Sequence, residues 1–162
     1  MKGDADDTVV EAAVSLIETD HPFWSIVDRT HLGVFGMRIT GTFDVTVTPL
    51  DIEGELMGRM HIDKRFHGAL EGVSTGQMLT ATTATKGSAV YVAIERVRGA
   101  LEGRRGSFVL HHTGIMDKGT PTLVVSVCPD SGTEQLTGLT GTMTINMQGQ
   151  RHEYVFDYTL PR

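Results

Sequence analysis

The sequence predicts an all-β fold, an antiparallel closed β-barrel with a short N-terminal helical extension, on three observations. Apolar residues recur with period two from Gly41 onward, glycine-rich breaks separate the runs, and no helical stretch of comparable length follows residue 40. Phe43, Val45 and Val47 alternate with Asp44, Thr46 and Thr48. Met60, Ile62 and Phe66 alternate with His61, Asp63 and His67, and Tyr154, Phe156, Tyr158 and Leu160 with Val155, Asp157 and Thr159. Successive side chains of a strand point to opposite faces, so each run is a strand with one dry face. Glycine makes up 19 of the 162 residues, well above the roughly 7% average, which implies many tight turns. The breaks fall at Gly68 to Gly72, Gly103 to Gly106, Asp117 to Gly119, Asp130 to Gly132 and Gly138 to Gly141. Short strands joined by such turns form antiparallel sheet, and closure into a barrel removes the exposed edges.

The N-terminal residues read differently. From Asp7 to Thr19, Val10, Ala13, Val14 and Ile17 stand at helical spacing, with acidic residues at the start where the helix dipole favours them. Asp20-His21-Pro22 ends this helix, because proline disfavours helical backbone in the residue before it. The apolar patch that follows, Phe23 to Val27, contains Trp24 and needs something to pack against. The expected organisation is therefore an extension over residues 1–40, a lid or an interface, and a barrel domain over residues 41–162. A net charge of −6 with scattered arginines offers no field for nucleic acid or an anionic membrane surface. No apolar run reaches transmembrane length, the acidic start is unlike a secretory signal, and the lone Cys128 fits a reducing cytoplasm. No P-loop is present, and neither a cofactor nor covalent serine catalysis is expected.

The run Gly99-Ala-Leu-Glu-Gly-Arg-Arg-Gly-Ser-Phe-Val-Leu-His-His-Thr-Gly114 carries the central hairpin. Tyr91 to Leu101 and Ser107 to Thr113 form its strands, with Gly103 to Gly106 as a four-residue connection. Segregation of apolar residues then sets Glu102 opposite Ser107, Leu101 opposite Phe108, Gly99 opposite Leu110, Val97 opposite His112 and Arg98 opposite His111. The earlier GALEG at Gly68 to Gly72 reads as the same hairpin device used twice, a strand end followed by a glycine turn. Val92, Ile94 and Val109 fall on the nominally outer face, so part of the outer wall is expected to be covered by the N-terminal segment or by another subunit of a homo-oligomer.

The segments GTFDVTVTP, KRFHGALEGVSTG, YVAIERVRGALEGRRGSFVLHHTG, VSVCPDSGTEQLTGLTGT and HEYVFDYTL, within residues 40 to 160, resemble the domain of unknown function 3224 family. Its members resemble the allene oxide cyclase-like β-barrel. The resemblance implies that fold, but a shared fold supplies no reaction, and barrels of this shape serve as cyclases, dirigent-type guides and plain binders. Where the family commonly has glutamine before the hairpin histidine, this chain has His111, and His112 takes the family's histidine position. The first forty residues go beyond the family's usual short start.

Strand parity places Lys64, Glu95, His112 and Tyr158 on the inner wall. Glu95 and His112 become diagonal neighbours on paired strands. A carboxylate beside an imidazole in an apolar cavity suits general acid–base chemistry, and Lys64 or Tyr158 can hold a substrate oxygen. Tyr91, Phe108, Phe156, Trp24, Phe66 and Met60 complete the shaping surface. The reading is a barrel that binds a small hydrophobic molecule and promotes a cofactor-free isomerisation or cyclisation. The alternatives are a non-catalytic carrier with the same pocket and a structural oligomeric barrel whose polar groups satisfy one another in a filled interior. His111 points outward. His61, Asp63 and His67 alternate on the polar face, but i, i+2 spacing recurs there by chance, so no metal site is assigned.

Overall fold

Inward and outward side chains alternate through eight strands, which the computed structural model arranges as a closed barrel in the order β1 to β8. It describes residues 36–50, 57–148 and 151–161. The expected Asp7 to Thr19 helix and Trp24 lie outside these. The strands are β1 (Met37–Leu50), β2 (Met57–Gly68), β3 (Leu70–Thr82), β4 (Ala89–Leu101), β5 (Arg104–Asp117), β6 (Thr120–Val127), β7 (Thr140–Gln148) and β8 (Arg151–Thr159). Each pairs antiparallel with its sequence neighbours, and β1 closes onto β8, with Gly41 opposite Tyr154. β1 starts at Met37, four residues before the first clear alternation, because Ile39 shares the inner face with Phe43 while Gly41 between them leaves a gap in the apolar pattern.

The hairpin register differs from the expectation. Leu101 lies opposite Arg104, Gly99 opposite Gly106, Val97 opposite Phe108 and Ile94 opposite His111. The connection is therefore the two residues Glu102 and Gly103, with φ of 48° and 81°. Positive φ at both central positions gives the primed turn whose twist matches that of paired strands. Arg104 and Arg105, expected in the loop, begin β5. The slip is four residues, an even number, so every side chain keeps its face.

The two GALEG segments are not two copies of one hairpin. They lie antiparallel against each other on β3 and β4, Leu70 opposite Leu101, Glu71 opposite Ala100 and Gly72 opposite Gly99, and the Glu102 amide donates to the Ala69 carbonyl at 2.7 Å. The first leaves a turn and the second enters one. A Cβ on Gly99 would meet the Glu71 carbonyl oxygen and come within 2.6 Å of the Gly72 Cα, so the pair permits a backbone approach that alanine would block.

Closure between β6 and β7 rests on two residue pairs, Val125 with Met143 and Ser126 with Thr142. Residues 128–139 take over the free edge of lower β5. The Cys128 amide donates to Val109 O at 2.8 Å, Thr133 N to Ser107 O at 2.9 Å, and Arg105 N to Gln135 Oε1 at 2.8 Å. This segment includes one 3-10 turn, Glu134–Leu136, and it buries Leu136 and Leu139 against the barrel end. It also explains Val109, which it half-covers. Val92 and Ile94 stay exposed.

Inside, two apolar clusters fill the barrel. The larger holds Phe43, Phe66, Leu70, Phe108, Tyr154, Phe156 and Tyr158 toward the turn between β4 and β5. The smaller holds Met60, Ile62, Met78, Ala89, Tyr91 and Ala93 toward the other end.

Candidate functional site

Between the two apolar clusters lies a layer of polar side chains. Lys64 sits on β2 between Ile62 of the smaller cluster and Phe66 of the larger, and Glu95 on β4 sits between Ala93 and Val97 in the same way. Ser74 of β3 is the direct register partner of Lys64, and His112 of β5 faces Ala93. Period two alone puts Lys64, Glu95 and His112 inside, because each shares parity with aliphatic or aromatic neighbours that must be buried.

Glu95 is the hub, at 0% exposure, with Lys64 at 6% and His112 at 4%. Lys64 Nζ donates to Glu95 Oε2 at 2.7 Å, and the Ser74 hydroxyl donates to Oε1. The ammonium also lies 5.0 Å from the Phe43 ring centroid and 6.0 Å from that of Phe66, within cation–π range. His112 Nε2 stands 3.0 Å from Glu95 Oε2, but the ring is not aligned for a hydrogen bond. The contact is a Coulombic one, and it leaves Nε2 without a hydrogen-bond partner. Thr80 Oγ1 is the other buried side-chain atom lacking one among the described residues.

Burial by itself would raise the pKa of Glu95, but the Lys64 ammonium and then His112 outweigh it, and the carboxyl is held well below its usual range. Glu95 is therefore a fixed anion and a poor base at neutral pH. Burial lowers the His112 pKa below its ordinary value; Lys64 adds to this while Glu95 opposes it. The imidazole is neutral at pH 7, and the carboxylate beside Nε2 favours the tautomer with the proton there, leaving Nδ1 as the basic nitrogen. Burial, then Glu95, pushes the Tyr91 phenol up, so it stays protonated.

Of the residues singled out from sequence, Lys64, Glu95 and His112 come together. Tyr158 does not join them. Its ring stacks on Phe156 at 5.2 Å and its hydroxyl donates to the Glu102 carboxylate beside the β4–β5 turn; burial and Glu102 raise its pKa. Phe108 stacks on Phe156 at 6.0 Å and Phe66 meets Tyr154 edge-on at 5.8 Å, all in the larger cluster. Met60 and Tyr91 belong to the smaller cluster, on the His112 side. Ser74 and Thr80 were not picked out from sequence. The inward parity of Ser74 was hidden because Gly72 and Gly76, its neighbours on the same face, carry no apolar side chain to mark it; Gly72 to Gly76 reads G-x-S-x-G, but it lies within strand β3 and not at the strand-to-helix turn of a nucleophile elbow.

On the outer wall, His61 pairs with Asp63 at 3.0 Å and His67 with Asp44 at 2.9 Å, as two separate pairs. Two open grooves lie there as well. One of about 490 Å³ runs over β1 to β4 between Asp44, Asp63, Arg65, Arg96 and Arg98, and one of about 290 Å³ lies beside Arg65, Glu71 and Arg105. Their mixed charges favour no single class of ionic ligand. Among the described residues no helix is long and apolar enough to cross a membrane.

Comparison with known proteins adds a family. The crystal structure of a protein with unknown function from the DUF3224 family of Shewanella oneidensis MR-1 is 48% identical, with a TM-score of 0.75 over 78% of this chain and 98% of that one. A search of curated proteins finds no match. The family described as Protein of unknown function (DUF3224) matches residues 39–158, nearly the whole barrel, and the chain belongs to that family.

Proposed function

We propose that the barrel binds a small, largely hydrophobic molecule in its smaller apolar half and promotes a cofactor-free isomerisation or cyclisation there, as the likeness to allene oxide cyclase-like barrels suggested from sequence. One observation carries this reading. Among the described residues, the two buried side-chain polar atoms without hydrogen-bond partners, His112 Nε2 and Thr80 Oγ1, belong to residues whose register partners, Ala93 and Tyr91, lie in the smaller cluster. Unpaired buried polar atoms are costly, and an oxygen-bearing ligand among them would relieve that cost. The walls of this half are adaptable, since methionine side chains repack readily.

The chemistry assigned here is a division of labour. Neutral His112 takes up a proton from carbon or oxygen at Nδ1 and returns it to the rearranged substrate, Glu95 stabilises the imidazolium while it exists, and Lys64 and Ser74 hold Glu95 in place. A cytoplasmic location belongs to the same reading, and the lone Cys128, which fits a reducing compartment, supports it.

A second reading, a structural barrel, is favoured by the completeness of the interior. Glu95 already accepts from both Lys64 and Ser74, and the two grooves described above lie on the outer wall.

An apolar fluorescent ketone, 6-propionyl-2-dimethylaminonaphthalene, separates the readings. The enzyme reading expects saturable binding and exchange of the protons next to the ketone in D2O, followed by NMR. His112→Gln should keep the binding and slow the exchange by roughly 10²-fold or more. Binding without exchange identifies a carrier, and no binding identifies the filled structural barrel.

A further inference from the structure

The outer wall bears an apolar face that no described residue covers. In cross-strand register Leu79 lies beside Val92, Val90 beside Ile115 and Thr113 beside Val124, with Ile94 in the next row. Ile94 is 60% exposed and Leu79 57%, and Met57 extends the face onto β2. From β3 to β6 no carboxylate, lysine or arginine interrupts these rows. Soluble monomers seldom leave so continuous a surface open, and such a surface marks an interaction site. Its rim carries two exposed arginines, Arg59 opposite Leu79 on β2 and Arg96 two residues beyond Ile94 on β4, and one exposed carboxylate, Asp117 two residues beyond Ile115 on β5.

We propose that the occupant of this face is the chain's own N-terminal segment, with residues 7–19 laid across β3 to β6. Size, polarity, charge and reach agree. With β2 included through Met57, five strands at about 4.8 Å spacing make a face roughly 20 Å wide, and four residues along a strand make it about 13 Å tall. Residues 7–19 as a helix would be about 20 Å long and one helix diameter wide. Their apolar stripe, Val10, Ala13, Val14 and Ile17, needs an apolar surface, while Asp6, Asp7, Glu11 and Glu18 supply negative charge to meet Arg59 and Arg96. The chain between residue 20 and Gly36 can extend on the order of 50 Å, enough to pass from the start of β1 to this wall. The segment also precedes the family match, which begins at residue 39, so it lies outside the part of the chain that the family model describes. A second copy fits less well, because the face measures about 260 Å² on these spacings, whereas a standard interface buries about 800 Å² per partner.

The test uses the full chain with Cys128→Ser. A Val14→Cys/Val92→Cys pair should oxidise to an intramolecular disulfide, read by peptide mapping of the monomer, at least tenfold faster than Val14→Cys/Thr40→Cys, whose second site is exposed on β1 three strands away. Independently, Val14→Asp should raise the fluorescence of added bis-ANS several-fold with no change in the β-sheet circular dichroism. Equal oxidation rates at the two sites would overturn the proposal. So would Val92→Cys alone giving disulfide-linked dimers with no 14–92 link in the double variant, which would assign the face to a second copy. Unchanged bis-ANS fluorescence in Val14→Asp would count against it as well.

Discussion

Glu95 and His112 show how one environment gives two titratable groups opposite roles. Both pKa values are depressed, one because cationic and hydrogen-bonding partners overcome burial, the other because burial wins. The consequence for stability has a definite sign. The unfolded chain takes up a proton at His112 near its ordinary value of 6.5, before the folded protein does, so stability falls as pH drops below that value. A second loss follows below 4.5, where Glu95 protonates in the unfolded chain first. Each group contributes at most about 1.4 kcal/mol per pH unit within its window. Urea denaturation of the wild type between pH 7.5 and pH 5 should therefore show a slope that His112→Gln flattens. A slope identical in the variant would remove His112 from the account.

At the scale of the element, the paired GALEG segments separate two uses of glycine. Gly103 occupies a positive-φ turn position with open space around its missing Cβ, so Gly103→Ala meets only backbone strain, about 1–2 kcal/mol. Gly99 has an ordinary strand conformation, but a Cβ there would run into the backbone of β3. Backbone cannot rotate away as a side-chain tip can, so Gly99→Ala should cost about 3 kcal/mol, the upper part of the overpacking range. Thermal denaturation of the two variants gives the order directly: Gly99→Ala should have the lower Tm. The same element shows how far local pattern reaches. Alternation through Tyr91, Glu95 and Val97 was enough to face each residue correctly, and it could not tell a two-residue turn from a four-residue one, because both registers keep apolar residues on one side.

At the scale of the whole molecule, the barrel is a sandwich of two apolar clusters around an ionic layer. Taking a carboxylate and an ammonium out of water costs several kcal/mol each, and their mutual attraction offsets this only with close geometry. Lys64→Ala leaves Glu95 buried and uncompensated, and should cost about 3–5 kcal/mol. Lys64→Met combined with Glu95→Leu removes both charges and should be neutral or stabilising by about 1–4 kcal/mol. Chemical denaturation of both variants decides the matter. A double variant as stable as the wild type means that the charges are kept for something other than stability. A double variant as damaged as Lys64→Ala means that the ion pair is itself a structural member of the core.

The sequence by itself determined the class of the fold and the face of nearly every strand residue. These depend on local alternation and turn composition, which a chain carries in its own order. It placed Lys64, Glu95 and His112 inside for the same reason, since parity survives a shift of register by an even number of residues. Only the tertiary structure decided which inward groups meet. Lys64, Ser74, Glu95 and His112 come from four strands, and their contact depends on how far each strand is staggered around the closed barrel. Tyr158 shares their parity and still ends in the larger cluster beside Glu102, because position along the barrel axis is set by the cumulative stagger of every pairing between it and β2.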